Sequence, residues 1–240
     1  MRDRAFLAGL PVDLSSRKQL TELLREWLSQ PRQSRQIVTL NVNMLMLAFK
    51  NDRLFRVIRE ADLVTADGAG IARALQRRHY PVERITGLDL TRQLLQISAR
   101  EGYSVYFYGG GARICEKLAA QLSRQYPGLL IQAVRDGYGL GCSAAMIREE
   151  LRAAPPRLLL VGMGTPAQEL FLKDILPFLP GTVGMGVGGV LEILAGCQNQ
   201  APRLIRDHGL EWLFRMMQEP RRLNRLPDLI RFWWSEIRRR

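Results

Sequence analysis

Short apolar runs alternate along the chain with segments of helical periodicity, and this alternation restricts the fold more than any other feature. The candidate strands are Ile37–Asn41, Asp62–Ala66, Ser104–Tyr108, Leu130–Val134, Arg157–Val161 and Thr182–Val187. The helical segments between them are Met44–Glu60, Ile71–Arg77, Leu90–Glu101, Arg113–Tyr126, Ser143–Ala153 and Ala167–Leu176. This order predicts an α/β fold with a mostly parallel, Rossmann-like sheet and helices on both faces. Ligands of such sheets bind beyond the carboxyl ends of the strands.

The last forty residues have a different character. The segment 201–240 holds ten arginines against five acidic residues, and three of the four tryptophans. We therefore predict an α/β domain over 1–200 and a helical, basic, aromatic appendage over 201–240. An apolar stripe at helical spacing, flanked by arginines, is formed by Ile230, Trp233, Trp234 and Ile237. Such a stripe is typical of a membrane-interface helix, but docking on the protein's own core or on a second subunit also fits it.

The net charge of +12 predicts an anionic partner, which can be a phosphorylated substrate, an acidic lipid or nucleic acid. Only four of the 35 basic residues are lysines. Because the planar guanidinium matches phosphate oxygens in pairs, the excess of arginine favours phosphate recognition. In the appendage, Pro220 is suited to the first turn of a helix, and Arg221, Arg222 and Arg225 follow it as a compact cationic cluster. A solvated charged face is the alternative.

The cysteines and the apolar runs bear on the compartment. Cys115, Cys142 and Cys197 are far apart and form no CxxC pair, which favours structural thiols in a reducing compartment over a disulfide. With only two histidines besides, no metal site is expected. No apolar run is long enough to span a membrane, and the N-terminal run is too short for a signal peptide. We expect a cytoplasmic protein whose membrane contact is peripheral.

Two polar groups follow candidate strands. Asp67 comes directly after the strand that ends at Ala66, where a carboxylate can reach a substrate, although it can also cap the next helix. Thr39, Asn41 and Asn43 recur at period two, which on a strand places them on one face. That arrangement suits a site for hydroxyl groups, whereas turn formation by asparagine is the simpler explanation.

Two glycine-rich turns are candidate anion sites. Gly109, Gly110 and Gly111 lie between a strand and a helix, where backbone amides can bind phosphate. The segment Gly184–Gly189 contains GxGxxG, the pattern of dinucleotide-binding proteins. Here it lies in the last strand rather than in the first βαβ unit, and the acidic partner is missing. A nucleotide-dependent oxidoreductase is therefore disfavoured.

Taken together, these segments resemble the WecG/TagA/CpsF family of glycosyltransferases over nearly the whole chain. The resemblance is carried by Gly162-Met-Gly-Thr-Pro-Ala-Gln-Glu169, Gly186-Val-Gly-Gly189, Ala201-Pro202, Gly209-Leu-Glu-Trp-Leu-Phe-Arg215 and Glu219-Pro-Arg-Arg222. The segments Ala66-Asp-Gly68 and Arg84-Ile-Thr-Gly-Leu-Asp89 follow in family order. The usual Pro-Lys-Gln-Glu is Pro-Ala-Gln-Glu here, the Asp-Phe-x-Ala-Gly region begins at Glu192, and Asn199-Gln200 replaces a basic pair. These departures concern the sugar and the acceptor rather than the reaction class.

The resemblance implies an inverting transferase that needs neither metal nor cofactor. It implies a UDP-sugar donor, a polyprenyl-diphosphate-linked sugar acceptor, and an appendage that docks on the inner face of the membrane and closes the site. Asp67 matches the general base, and Thr39 and Asn41 match polar site residues. The candidate substrate-binding residues are Asn43, Arg84, Asp89, Gly109, Gly110, Gln168, Gly186, Gly188, Gly189, Arg215, Arg221, Arg222 and Arg225.

The position of the basic residues along the chain bears on whether the protein binds nucleic acid. A nucleic-acid-binding module normally carries basic and aromatic residues together on a sheet face or a recognition helix. In this chain they are concentrated in the appendage, so we expect no nucleic-acid partner. The sequence leaves homo-oligomer formation open.

Overall fold

A six-stranded parallel sheet with helices on both faces forms the body of the molecule, as predicted. The computed structural model describes residues 3–138 and 143–202, together with Ile205, Leu213, Phe214, Arg231, Phe232 and Trp234. The strands are β1 (Arg4–Leu7), β2 (Leu10–Asp13), β3 (Arg35–Leu40), β4 (Leu63–Ala66), β5 (Ser104–Gly109), β6 (Leu130–Arg135), β7 (Leu158–Gly162) and β8 (Val183–Gly186). The helices are α1 (Arg17–Ser29), α2 (Val42–Ala48), α3 (Asp52–Glu60), α4 (Ala69–Gln76), α5 (Gly87–Glu101), α6 (Ala112–Gln125), α7 (Ala144–Ala153), α8 (Ala167–Ile175) and α9 (Val190–Leu194).

The order of strands in the sheet is β4-β3-β8-β7-β5-β6, so neighbours in space are often distant in sequence. The register aligns Leu40 of β3 with Ala66 of β4, and Val161 of β7 with Gly186 of β8. Because every pair in this sheet is parallel, the carboxyl ends of all six strands lie along one edge. We call this edge, with the loops that follow the strands, the carboxyl edge.

Alternate residues of each central strand pack into separate cores on the two faces of the sheet. On β5, Phe107 packs with α1, α5, α6 and α9, whereas Tyr106 packs with α7 and α8. On β3, Ile37 belongs to the first core, and Val38 belongs to a third cluster with α2, α3 and α4. Burial on both faces explains why the strands are continuous apolar runs rather than alternating ones.

An N-terminal hairpin, β1–β2, forms a separate antiparallel pair that the sequence analysis does not predict. Its two-residue turn places Ala8 and Gly9 at φ values of 52° and 83°. Positive φ at both positions matches the twist that a tight hairpin requires. Asp13 joins the hairpin to the sheet, because its carboxylate accepts from Arg4 Nε at 3.1 Å and from the Val64 amide at 2.8 Å.

The helices differ from prediction in three places. The segment predicted as one helix, Met44–Glu60, is two helices, because Asn51 ends the first run and caps α3 by accepting from the Leu54 amide. The helix α1 is not predicted, although Ser16 and Gln19 form a complete capping box at its start. The short helix α9 is also missed. Its five residues are too few to show helical periodicity.

The structure also bears on the thiols and on membrane-spanning segments. Cys115 and Cys197 are free, as predicted, and Cys142 lies outside the described residues. Within the part of the chain that is described, no helix combines the length and the hydropathy that crossing a bilayer requires.

We expect Asp13→Ala to lower the free energy of unfolding by about 1–3 kcal/mol, because it leaves the buried Val64 amide without its acceptor. Urea denaturation measures this change. A control is Arg53→Ala, which removes an exposed ion pair with Asp174 and should cost less than about 1 kcal/mol. Equal losses in the two variants would contradict the proposed attachment of the hairpin.

Candidate active site

The candidate residues gather at the carboxyl edge because the strand order brings five strand ends side by side. In spatial order, Asp67 follows β4, Asn41 follows β3, Gly188 follows β8, Gly164 follows β7 and Gly110 follows β5. This row joins parts of the chain that are up to about 150 residues apart in sequence. Ligands of parallel sheets bind at this edge, so the row is the candidate site.

Asp67 lies at the rim of the sheet with its backbone anchored. Its amide donates to the Leu40 carbonyl at 2.9 Å, which continues the β3–β4 pairing by one residue. The N-cap of α4 is Gly68, at φ +82°, which has no side chain with which to cap the helix. Asp67 therefore precedes the N-cap position, which the alternative explanation assigned to it. Its half-buried side chain stands next to Asn41 at the neighbouring strand end.

Thr39 is buried within β3, two residues before Asn41. Its hydroxyl oxygen lies 3.3 Å from the position that a Cβ on Gly87 would occupy. Gly87 is the first residue of α5, so its missing side chain lets the start of that helix approach β3 closely. The segment before α5 is tied to β4, since the Ile85 amide donates to the Ala66 carbonyl at 3.1 Å. This bond brings Arg84, which is half-buried, beside the end of β4.

The expectation that Thr39, Asn41 and Asn43 share one strand face is wrong. β3 ends at Leu40, Asn41 is the cap of α2, and Asn43 lies within that helix. The Asn41 side-chain oxygen accepts from the Met44 amide at 3.0 Å, so the turn explanation applies to this residue. The cap uses only the carbonyl oxygen of the side chain, which leaves the Nδ2 group able to donate to a ligand.

Asp89 lies in the first turn of α5, but its carboxylate faces α1. Arg17 Nη2 is 3.5 Å from Asp89 Oδ2, and the same guanidinium donates to the Arg84 carbonyl at 3.2 Å. Asp89 and Arg17 also line an open cavity of about 390 Å³ with Arg92 and Tyr126. The structure thus places Asp89 beside the Arg84 segment, in contact with a cation of α1.

The turn after β5 is packed tightly against β7. A Cβ on Gly109, at φ +127°, would lie 2.4 Å from the Gly162 carbonyl group. The Gly110 amide donates to the Gly162 oxygen at 3.1 Å. Since this amide is already used, the anion-binding prediction for the turn passes to the first amides of α6, whose cap Gly111 faces open space.

Gln168 connects the loops after β7 and β8. Its side-chain oxygen accepts from the Gly164 amide at 3.1 Å and from the Gly188 amide at 2.9 Å. A Cβ on Gly186 would lie 2.6 Å from Gln168 Nε2. Gly186 of the GxGxxG pattern therefore makes room for a side chain of the protein itself, and Gly189 caps α9. This use differs from that in a dinucleotide fingerprint, where the glycines let the pyrophosphate approach.

One residue of the appendage reaches the core beside the candidate site. Phe232 is only 3% exposed and packs in the cluster that includes Val42, Ala66 and Ile71. Its Cε1 atom lies 3.9 Å from the Cβ position of Gly70, three residues after Asp67. The sequence does not point to Phe232, because the residue lies directly before the tryptophan pair and outside the stripe at helical spacing.

Trp234, two residues after Phe232, is exposed. Its side chain is 59% exposed, and Arg231, Phe232 and Trp234 are all helical. Residues two positions apart in an α-helix are rotated by about 200° about its axis, so Phe232 and Trp234 face nearly opposite directions. The candidate residues Arg215, Arg221, Arg222 and Arg225 lie outside the described residues, as do Ile230, Trp233 and Ile237.

No metal cluster is found in the described part of the chain: no three His, Cys, Asp or Glu side chains there lie close enough together to hold an ion. The positively charged side chains that the structure places near the site are arginines, such as Arg84 and Arg17. Guanidinium groups bind phosphate oxygens in pairs, so the site offers arginine chemistry to an anionic ligand.

We expect Asn41→Ser to leave stability nearly unchanged, since serine caps helices as well as asparagine does. It should weaken binding of the UDP-sugar that the family resemblance implies, since Nδ2 is lost. Asn41→Ala should in addition lose about 1 kcal/mol of stability. The matched control is Asn51→Ala, which removes the cap of α3 and should lower stability without changing binding. Thermal unfolding and titration calorimetry measure the two effects. Unchanged binding in Asn41→Ser would show that Asn41 caps α2 and does not bind the ligand.

A comparison with protein families identifies the chain's relatives. The model of the Glycosyl transferase WecG/TagA/CpsF family matches residues 5–240, which is nearly the whole sequence.

Proposed function

The chain belongs to the glycosyl transferase WecG/TagA/CpsF family, and from this premise we propose that it moves a sugar from a UDP donor onto a polyprenyl-diphosphate-linked saccharide. Membership supports a glycosyltransferase role in the synthesis of cell-envelope polysaccharide. The transferred sugar, in our proposal, is a hexose, an N-acetylhexosamine or the corresponding uronic acid. The reaction inverts the anomeric carbon and needs no metal ion.

The observation that carries the proposal is the place of Asp67. A carboxylate at the carboxyl edge of a parallel sheet, with its backbone held by β3 and its side chain half-buried at the rim, is suited to accept a proton. Asn41 and Arg84 lie beside it and can donate hydrogen bonds to sugar hydroxyls or phosphate. The buried Thr39 supports this corner of the site from within β3.

The proposed chemistry is a single displacement. Asp67 takes the proton from an acceptor hydroxyl while that oxygen attacks the anomeric carbon of the donor. The bond from this carbon to the UDP oxygen breaks on the opposite side, so the configuration inverts and UDP leaves with the bonding electrons. The proton remains on the Asp67 carboxyl group until solvent removes it. General base catalysis of this kind contributes about 10²–10⁴-fold.

The departing diphosphate gathers negative charge, which the protein must neutralise. In the proposal this is the task of the appendage arginines, which are Arg215, Arg221, Arg222 and Arg225. Guanidinium groups stabilise a leaving diphosphate by charge-assisted, paired hydrogen bonds. Support comes from Phe232, whose burial next to Val42 and Gly70 brings the appendage to the side of the site where Asp67 lies.

The same appendage is proposed to meet the membrane. Trp234 and Arg231 are exposed on it, and the face that carries Trp234 is turned away from the buried Phe232. Aromatic and basic side chains together favour the interface of an anionic bilayer. A peripheral position on the inner face of the membrane would present the lipid-linked acceptor to the carboxyl edge.

The test is transfer by purified full-length protein with EDTA present. We expect one donor from a panel of UDP-sugars to react with a short lipid-diphosphate-sugar acceptor and to give an inverted linkage. Asp67→Asn should lower kcat by about 10²–10⁴-fold with donor affinity retained. The control is Asp62→Asn, at the opposite end of the same strand, where the carboxylate bonds Arg35 and the Gln36 amide. A requirement for manganese or magnesium, or full activity in Asp67→Asn, would refute the mechanism.

We expect Arg221→Gln, Arg222→Gln or Arg225→Gln to lower kcat/KM for the donor by about 10–100-fold, the effect of losing one charge-assisted hydrogen bond. Point substitutions are preferable to removal of the appendage, because truncation would also remove the buried Phe232. Arg152→Gln on α7, whose guanidinium stacks on Phe178, is the control and should leave kcat/KM unchanged. If all three appendage variants match this control, the appendage does not bind the diphosphate.

A further inference from the structure

Glu169 is a carboxylic acid enclosed in the protein directly beneath the candidate site. It lies in the first turn of α8 and is only 2% exposed. Its Oε1 atom accepts from Gln168 Nε2 at 2.6 Å and from the Thr165 hydroxyl at 3.4 Å. Its Oε2 atom is buried and has no hydrogen-bond partner among the described residues. The mechanism proposed above makes no use of this side chain.

The surroundings of Glu169 favour its neutral form. The ion pairs of the described residues do not include it, and its side-chain partners are an amide and a hydroxyl. Burial raises the pKa of the Glu169 carboxyl above its usual value, while the hydrogen bonds from Gln168, the backbone and Thr165 oppose the rise. Burying an ionised carboxylate without a cation is costly, so the surroundings of Glu169 oppose its ionisation while its Oε1 atom serves as a hydrogen-bond acceptor.

The contact with Glu169 decides which way the Gln168 amide points. Because Glu169 Oε1 accepts from Nε2, the Gln168 oxygen is turned toward the Gly164 and Gly188 amides. If the amide were flipped, its NH₂ group would meet two N–H donors, which is repulsive. The buried acceptor of Glu169 and the two backbone amides thus favour the same orientation, which holds the loops after β7 and β8 together.

Two further contacts fit this pair into the sheet. A Cβ on Gly186 would lie 2.9 Å from Glu169 Oε1, so β8 must have glycine where the pair rests on it. From β3, Gln36 Nε2 donates to the Glu169 carbonyl at 3.0 Å. The pair therefore connects β3, β8 and the loop after β7, and these three strands follow β4 in the order of the sheet.

The position of this cluster indicates which substrate it serves. β4 is at the edge of the sheet, so Asp67 stands at the outer end of the row of strand ends. An acceptor that carries a long lipid must approach from outside, whereas the donor can occupy the space over the inner strands. The loops at Gly164 and Gly188 follow two of these inner strands.

We infer that Glu169 is a positioning residue that orients Gln168 so that the Gly164 and Gly188 loops form the wall of the donor site. This inference rests on the proposed function for its substrate. The underlying contact is a property of the folded protein, and it can be measured without any transfer reaction.

The kinetic test compares two substitutions of Glu169. Glu169→Gln keeps an acceptor oxygen for Gln168, whereas Glu169→Met keeps the volume and loses the acceptor. We expect Glu169→Met to raise the donor KM about tenfold, the worth of one buried hydrogen bond, with the acceptor KM unchanged. Glu169→Gln should restore the wild-type donor KM. A general loss of structure would lower kcat and leave both KM values as they are.

A second measurement follows hydrogen exchange of the Gly164 and Gly188 amides, which Gln168 protects. We expect faster exchange at both amides in Glu169→Met and wild-type rates in Glu169→Gln. The control is Thr182→Val. Thr182 directly precedes β8, at the end away from Gly188, and the substitution removes its buried hydrogen bond to the Pro156 carbonyl. It should change neither the donor KM nor the two exchange rates.

Each outcome has a distinct meaning. Equal loss in Glu169→Gln and Glu169→Met would show that an ionised carboxylate is needed, and would overturn the inference. Wild-type exchange and donor KM in Glu169→Met would overturn it as well. If the wild-type protein transfers no sugar, the proposed function fails, while the exchange rates still decide whether Glu169 orients Gln168.

Discussion

β3 forms backbone hydrogen bonds with β4 on one side and with β8 on the other, although about 140 residues separate β3 from β8 along the chain. The whole candidate site depends on this double pairing. Pairing with β4 sets Asp67 beside Asn41, and pairing with β8 brings the Gly188 loop to the same edge. A slip of one residue would turn Thr39 to the other face of the sheet, since side chains alternate along a strand.

Buried polar side chains lie beneath the carboxyl edge and support its loops. Gln168 joins two loops, Gln36 reaches across from β3, and Glu169 lies between them. The hydrogen bonds that Gln168 makes to the Gly164 and Gly188 amides hold the two loops in one arrangement. In the proposed function arginines hold a flexible diphosphate, and such a site needs rigid loops, because guanidinium groups on long side chains define geometry less strictly than a metal ion with fixed ligands.

The described residues of the appendage include one that is buried in the core and one that is exposed. Phe232 is packed beside Val42 and Gly70, and Trp234 faces the opposite way. One short segment can therefore contact the α/β core on one face and present an aromatic, basic surface on the other. In the proposed function, this two-sided arrangement brings the positive charge of the appendage, the lipid-linked acceptor and Asp67 to one place.

The sequence by itself determined the six strands of the sheet, because the inner strands are apolar runs buried on both faces and the edge strand β6 is a short apolar run between helical segments. It also determined that Asp67 follows one of them. It did not predict the β1–β2 hairpin, whose four-residue strands are too short to show alternation. It also left two explanations for Asn41, since capping and ligand binding use the same residue type. Only the tertiary structure decided the strand order, the orientation of Gln168 and the burial of Phe232. These features arise from contacts between distant parts of the chain, which no local pattern of residues records.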